Sequence, residues 1–93
     1  MTVVIIVDLM IHPERMGEFT QIMNEDKQMA AEDNTITEFN ILVDSETPNK
    51  VQIRTVAESM ESIKEHMAAK HYRWKDFMKS GGVMAHHHTF QKL

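Results

Sequence analysis

Alternation of apolar and polar positions opens the chain. Val3, Ile5, Val7, Leu9 and Ile11 fall on one side of an extended segment, and Val4, Ile6 and Met10 on the other, interrupted by Asp8. That pattern predicts a strand over Thr2–Ile11 with cover on both faces. The period then lengthens. Met16, Phe19, Met23 and Ala30 recur at helical spacing, flanked by Ile22 and Met29. Pro13 suits the first turn of that helix, because its missing N–H costs nothing there, and Glu14 places favourable charge near the same end. Asn34, a residue that tolerates the left-handed conformation, is expected to end it.

The alternation returns twice. Phe39, Ile41 and Val43 share one face of a second strand, Thr35–Val43, with Asn40 and Leu42 on the other. The run from Asp44 to Lys50 is dense in turn formers and joins it to a third strand, Val51–Glu58. Ser59 is placed to cap a second helix, with Glu61 in its first turn. Met60, Ile63, Met67, His71, Trp74 and Met78 form its expected inner stripe, and Ser80-Gly81-Gly82 stops it. Val83–Gln91 reads as a last strand, more polar than the first. The order βαββαβ predicts an α+β, ferredoxin-like fold in a single domain over residues 1–93, with an antiparallel four-stranded sheet and two helices on one face. Two helices leave the other face of the sheet bare. A homodimer is expected to cover it.

Composition narrows the function classes. The chain has 93 residues, a formal net charge of −4 and no cysteine. An acidic balance argues against nucleic acid as a partner, since phosphates need basic surface to neutralise them. The apolar run Val3–Val7 is short and lacks a basic lead-in, so neither a signal peptide nor a membrane partner is expected. The lack of cysteine fits a reducing, cytoplasmic setting. Nine methionines supply flexible filler suited to an irregular core or an adaptable pocket. No phosphate-cradling glycine loop or nucleophile elbow is present, and no cofactor is expected.

Histidine is the side chain best suited to moving protons near neutral pH. His66 and His71 are five residues apart, about 140° around a helix, so they do not face one point. His71 falls in the inner stripe of the second helix. His66 falls off it, open to solvent or at a pocket rim. His86 and His88 share one face of the last strand and His87 the other. A His-x-His pair on a strand can hold two corners of a zinc, iron or copper site, with Asp8, Glu58 or His12 as candidate third ligands. Arg54 projects from the third strand on the face opposite Val51 and Ile53, suited to an anionic or quinone-like oxygen. Tyr72, Trp74 and Phe77 add aromatic surface to the second helix.

Three pieces carry a family likeness. A strand runs into His12-Pro13-Glu14-Arg15, a hairpin holds Pro48-Asn49, and a helix carries Glu61-Ser62-Ile63-Lys64-Glu65-His66 followed by His71. With the element order, they make nearly the whole chain resemble the antibiotic biosynthesis monooxygenase family of dimeric α/β barrel proteins. The resemblance implies a homodimer, a pocket for a small hydrophobic or aromatic ligand, and cofactor-free oxygenation of a quinol-like substrate. His71 or His66 is then the candidate base, with Arg54 or Tyr72 stabilising the substrate anion. Many members carry a tryptophan near position 57 and an asparagine just before it in the pocket; this chain has Ala57 and Ile53. That difference keeps a non-catalytic ligand-binding barrel open, and His86 with His88 keeps a metal-dependent enzyme open.

Overall fold

A computed structural model describes the backbone of all 93 residues and every side chain outside residues 69–72. Strand β1 (Val3–Ile11) leads through a 3-10 turn (Pro13–Arg15) into helix α1 (Met16–Glu32). Strands β2 (Ile36–Val43) and β3 (Lys50–Ala57), helix α2 (Met60–Lys79) and strand β4 (Val83–Gln91) follow. The sheet has four strands in the order β2-β3-β1-β4, every neighbouring pair antiparallel. This is the expected ferredoxin-like arrangement.

The register sorts every strand residue onto one of two faces. Val3, Val7, Leu9 and Ile11 of β1 and Val51, Ile53, Thr55 and Ala57 of β3 are buried. They meet Phe19, Ile22 and Met23 of α1 and Ile63 and Phe77 of α2 in two adjoining clusters. Phe19, Trp74 and Phe77 form an aromatic triangle at the α1–α2 contact, with centroids 5.9–6.3 Å apart. The opposite face is bare. Met10, Leu42, Met84 and Phe90 stand exposed on it, and Val4, Ile6, Arg54, Val56 and Phe90 line an open groove of about 500 Å³.

Three local expectations are corrected. The first helix does not begin at Pro13: Pro13–Arg15 make a single 3-10 turn, with Glu14 N–H directed at His12 Nδ1, and the α-helix starts at Met16. Asn34 does not end it in a left-handed conformation. Glu32 is its last residue, and Asp33 caps it in an extended conformation, with its N–H donated to the Ala30 carbonyl. The inner stripe of α2 is also turned relative to expectation. Met60 is exposed while His66 and Phe77 are buried. At about 100° per residue, His66, Phe77, Trp74 and Met67 all lie within about 60° of Ile63, so this apolar arc includes His66. Ser59 behaves as expected, accepting from Ser62 N–H at 3.1 Å.

Arg15 clasps the far end of α2. One guanidinium nitrogen donates to the carbonyls of Phe77 (3.0 Å) and Gly81, the other reaches Glu18 at 2.8 Å, and the group lies 4.2 Å above the Phe77 ring. The chain passes close by at Gly82, where a Cβ would meet Arg15 and His12 at 3.2 Å and φ is +76°. Charge-assisted bonds of this kind are worth about 1.5–3 kcal/mol each. Arg15→Ala is expected to lower unfolding free energy by about 2–3 kcal/mol in urea titrations. Arg15→Lys should recover less than half of that, because an ammonium cannot reproduce the planar fork.

Candidate functional site

Three places gather polar side chains: an inner cavity, a cleft at the α1–β2 corner, and the bare face of the sheet.

The inner cavity lies between helices and sheet. Ile5, Ile53 and Thr55 form its floor, Met23 and Met67 its walls, and Trp74 closes one side. Asp26 enters from α1 and His87 from β4. Asp26 and Thr55 are both 5% exposed. The space measures about 20 Å³, enough for about one water molecule. The two methionine walls are its adaptable part.

Asp26 and His87 were not singled out from the sequence, yet both carried a signal. Asp26 continues the buried spacing 19, 22, 23, 26, 30 of α1, although Glu25 and Lys27 beside it make the segment read as solvated. His87 sits at the inward parity of β4, between the outward His86 and His88.

The corner cleft holds His66. Its Nδ1 lies 3.2 Å from Asp33 Oδ2, with His66 almost fully buried and Asp33 partly exposed. The other carboxylate oxygen accepts from Thr35 N–H at 2.9 Å and Thr35 Oγ1 at 2.6 Å. Asp33 therefore joins the end of α1, the start of β2 and the middle of α2. The two Thr35 hydrogen bonds, with a smaller contribution from His66, hold its carboxyl below the usual carboxylate range. His66 opens toward Glu65 and Glu32 in this cleft and does not line the inner cavity.

Arg54 lies on the bare face, across the sheet from the inner cavity, and His66 and Arg54 do not share a site. The side chains of His71 and Tyr72 lie outside the described residues. His86 and His88 also stand on the bare face. His86 pairs in register with Asp8, and His88 Nε2 lies 3.7 Å from Asp8 Oδ2. Among the described residues no group of three or more His, Asp or Glu is already assembled for a metal ion. No helix among them is long and apolar enough to cross a membrane.

No protein-family model matches this chain, and no curated protein does. Solved structures match it closely in shape. One is named as a candidate antibiotic biosynthesis monooxygenase from Nitrosomonas europaea, with TM-score 0.86 at 14% identity over 99% of this chain and 90% of that one. Another carries the same naming, from Bacteroides thetaiotaomicron, with TM-score 0.81 at 20% identity over 99% and 90%. SnoaB, a cofactor-independent oxygenase from Streptomyces nogalater, superposes with TM-score 0.78 at 11% identity over 99% and 93%. The chain has the antibiotic biosynthesis monooxygenase fold. At such identities that fold carries over and the activity does not. Ile53 and Ala57 are buried on the helix-covered side.

The Asp33 junction makes a pH-dependent prediction. A carboxyl lowered in the folded state contributes stability that is present above the ordinary value of about 3.9 and lost as pH falls through the lowered one. Thr35→Val removes the hydroxyl donor. The variant should be less stable than the parent at pH 7, and the gap should narrow as unfolding is followed below pH 4. A gap independent of pH would show that the hydroxyl acts by packing alone.

Proposed function

We propose that the chain is a cofactor-free monooxygenase for a small, electron-rich, quinol-like aromatic, held where the inner cavity, about 20 Å³, is enlarged by rotation of its Met23 and Met67 walls. The observation that carries this reading is the cavity's lining: apolar floor, indole wall, and a carboxylate, a hydroxyl and an imidazole brought in by separate elements. A dry pocket of this kind suits deprotonation of a phenolic substrate, whose anion then gives electrons to O₂. A quinol releases four electrons in all, two when a ring C–H becomes C–OH and two when the quinol becomes the quinone. O₂ takes up that number in yielding one inserted oxygen and one water, so no outside reductant is needed. His87 is the described histidine on the cavity and is assigned the proton transfer, with His71 as the alternative that the helix pattern provides. Tyr72 remains a proposed contributor from the sequence; the step is not assigned to Arg54, on the bare face, or to His66, in the corner cleft.

A ligand-binding barrel without a reaction is the second reading, favoured by Ile53 and Ala57 at positions polar or aromatic elsewhere in the fold. Oxygen uptake with a panel of hydroquinones and reduced naphthoquinones separates the two. Under the first reading uptake is substrate-dependent, and His87→Gln lowers turnover by roughly 10²-fold or more without changing the melting temperature. Binding with no uptake in the parent protein selects the second.

The same reading includes a homodimer. The bare sheet face exposes Met10, Leu42, Met84 and Phe90, more apolar surface than one chain covers. Sedimentation at micromolar concentration is expected to give about twice the chain mass of 10.8 kDa. Replacing Phe90 and Met84 together by Ser should shift the species to monomer.

A further inference from the structure

We infer that the homodimer is pH-sensitive: protons taken up by His86 and His88 on the bare face of the sheet separate the two copies as pH falls below neutral. The inference rests on the homodimer reading above and is independent of the proposed oxygenase activity.

The register sets the charge of that face. Lys50 and Arg54 of β3 and Lys92 just beyond β4 bring three cations to it. Asp8 of β1, Glu38 of β2 and Asp44 at the hairpin bring three carboxylates. With neutral imidazoles the face is balanced, and the chain's net charge of −4 lies wholly off it. Two copies of an acidic protein therefore meet there without net like-charge repulsion. The same surface exposes Met10, Leu42, Met84 and Phe90.

His86 and His88 upset that balance. Both point away from the helices, paired in register with Asp8 and Ile6. His88 stacks on Phe90 at 6.3 Å between ring centroids, and Ile6 and Phe90 line the apolar groove. A contact that covers Phe90 takes the His88 ring out of water with it, which disfavours the charged form. Histidine changes charge between about pH 5 and 8, where lysine, arginine and ordinary carboxylates do not. Asp44 stays an anion throughout, because the N–H groups of Glu46 and Thr47 hold its carboxyl below the usual range. Asp8 lies 3.7 Å from His88 Nε2, but its charge is already matched in the balanced face. Protonation of both imidazoles leaves each face at +2, opposed by its own copy. Among the described residues neither histidine belongs to a group able to hold a metal ion. The separated chains thus bind more protons than the dimer. Association weakens as pH falls, by up to about 10-fold per pH unit for each imidazole that must be neutral in the contact.

Sedimentation over a micromolar concentration series at about pH 8 and about pH 5.5 tests the inference. The dimer Kd should rise at least about 10-fold at the lower pH, with circular dichroism showing the separated chains still folded. His86→Gln and His88→Gln should each flatten the dependence of log Kd on pH, and the pair should remove it. His87→Gln, on the opposite face, should keep the dependence of the parent. A parent already monomeric at pH 8 overturns the homodimer and this inference together. A dimer equally tight at both values, separation that coincides with unfolding, or a dependence unchanged in both single variants overturns the inference alone.

Discussion

Strand alternation is the constraint on which this molecule depends. Side chains leave a strand with a period of two, and one register of four antiparallel strands carries that period across the whole sheet. In β1, β3 and β4 the odd-numbered residues face the helices and the even-numbered ones face away. β2 joins the same parity after a register shift between Ile36 and Glu38. Thr55 and His87 therefore belong to one compartment, and Asp8, Arg54, His86 and His88 to another. No side-chain rotation carries a group from one to the other. A slip of one residue in β4 would exchange His87 with its neighbours and rebuild both sites at once.

The helices depend on the same sorting. With one face to cover, α1 and α2 present a single apolar arc each, and their polar groups are tied down at the margins. Ser59 caps the start of α2 and Arg15 holds its end, while Asp33 binds the corner where α1 gives way to β2. Three short polar devices thus fix helices whose packing faces are otherwise non-directional. The hairpin is fixed in the same manner. Asp44 accepts from Glu46 and Thr47 N–H at 2.9 Å, and Asn49 exchanges two 2.9 Å bonds with Ile11 at the end of β1.

Most of the architecture was legible because strands announce themselves by alternation and helices by period. Apart from the start of α1, three residues beyond Pro13, the elements fall within a residue or two of expectation, and the bare face followed from counting layers. What escaped is instructive. The stripe of α2 was read through its methionines, and methionine tolerates both sides of a helix boundary; Met60 proved exposed and His66 buried. Asp26 was hidden by its charged neighbours, since a single buried carboxylate does not disturb the apolar pattern around it. The left-handed stop assigned to Asn34 failed because the chain turns extended one residue earlier, at Asp33, whose N–H closes on Ala30 and whose carboxylate accepts from Thr35. Sites are less legible than elements for one reason: contacts such as His66 to Asp33 join residues 33 positions apart, and no local pattern encodes them.

The central position of β1 has a consequence for how the chain must be made. This strand holds the uninterrupted run Val3-Val4-Ile5-Ile6-Val7, and its two edges are paired with β3 and β4, which follow much later in sequence. Val3 meets Gln91, and Thr2 accepts from Lys92 N–H at 2.9 Å. During synthesis one edge of the stickiest segment therefore stays open until β4 has emerged from the ribosome. Short apolar runs of high β-propensity with an open edge recruit other chains. The histidines of the late, polar β4 and Lys92 just beyond it are then more than surface decoration. They keep soluble the strand that must wait to close the sheet, and changes that slow its docking should appear first as inclusion bodies and only afterwards as lost stability.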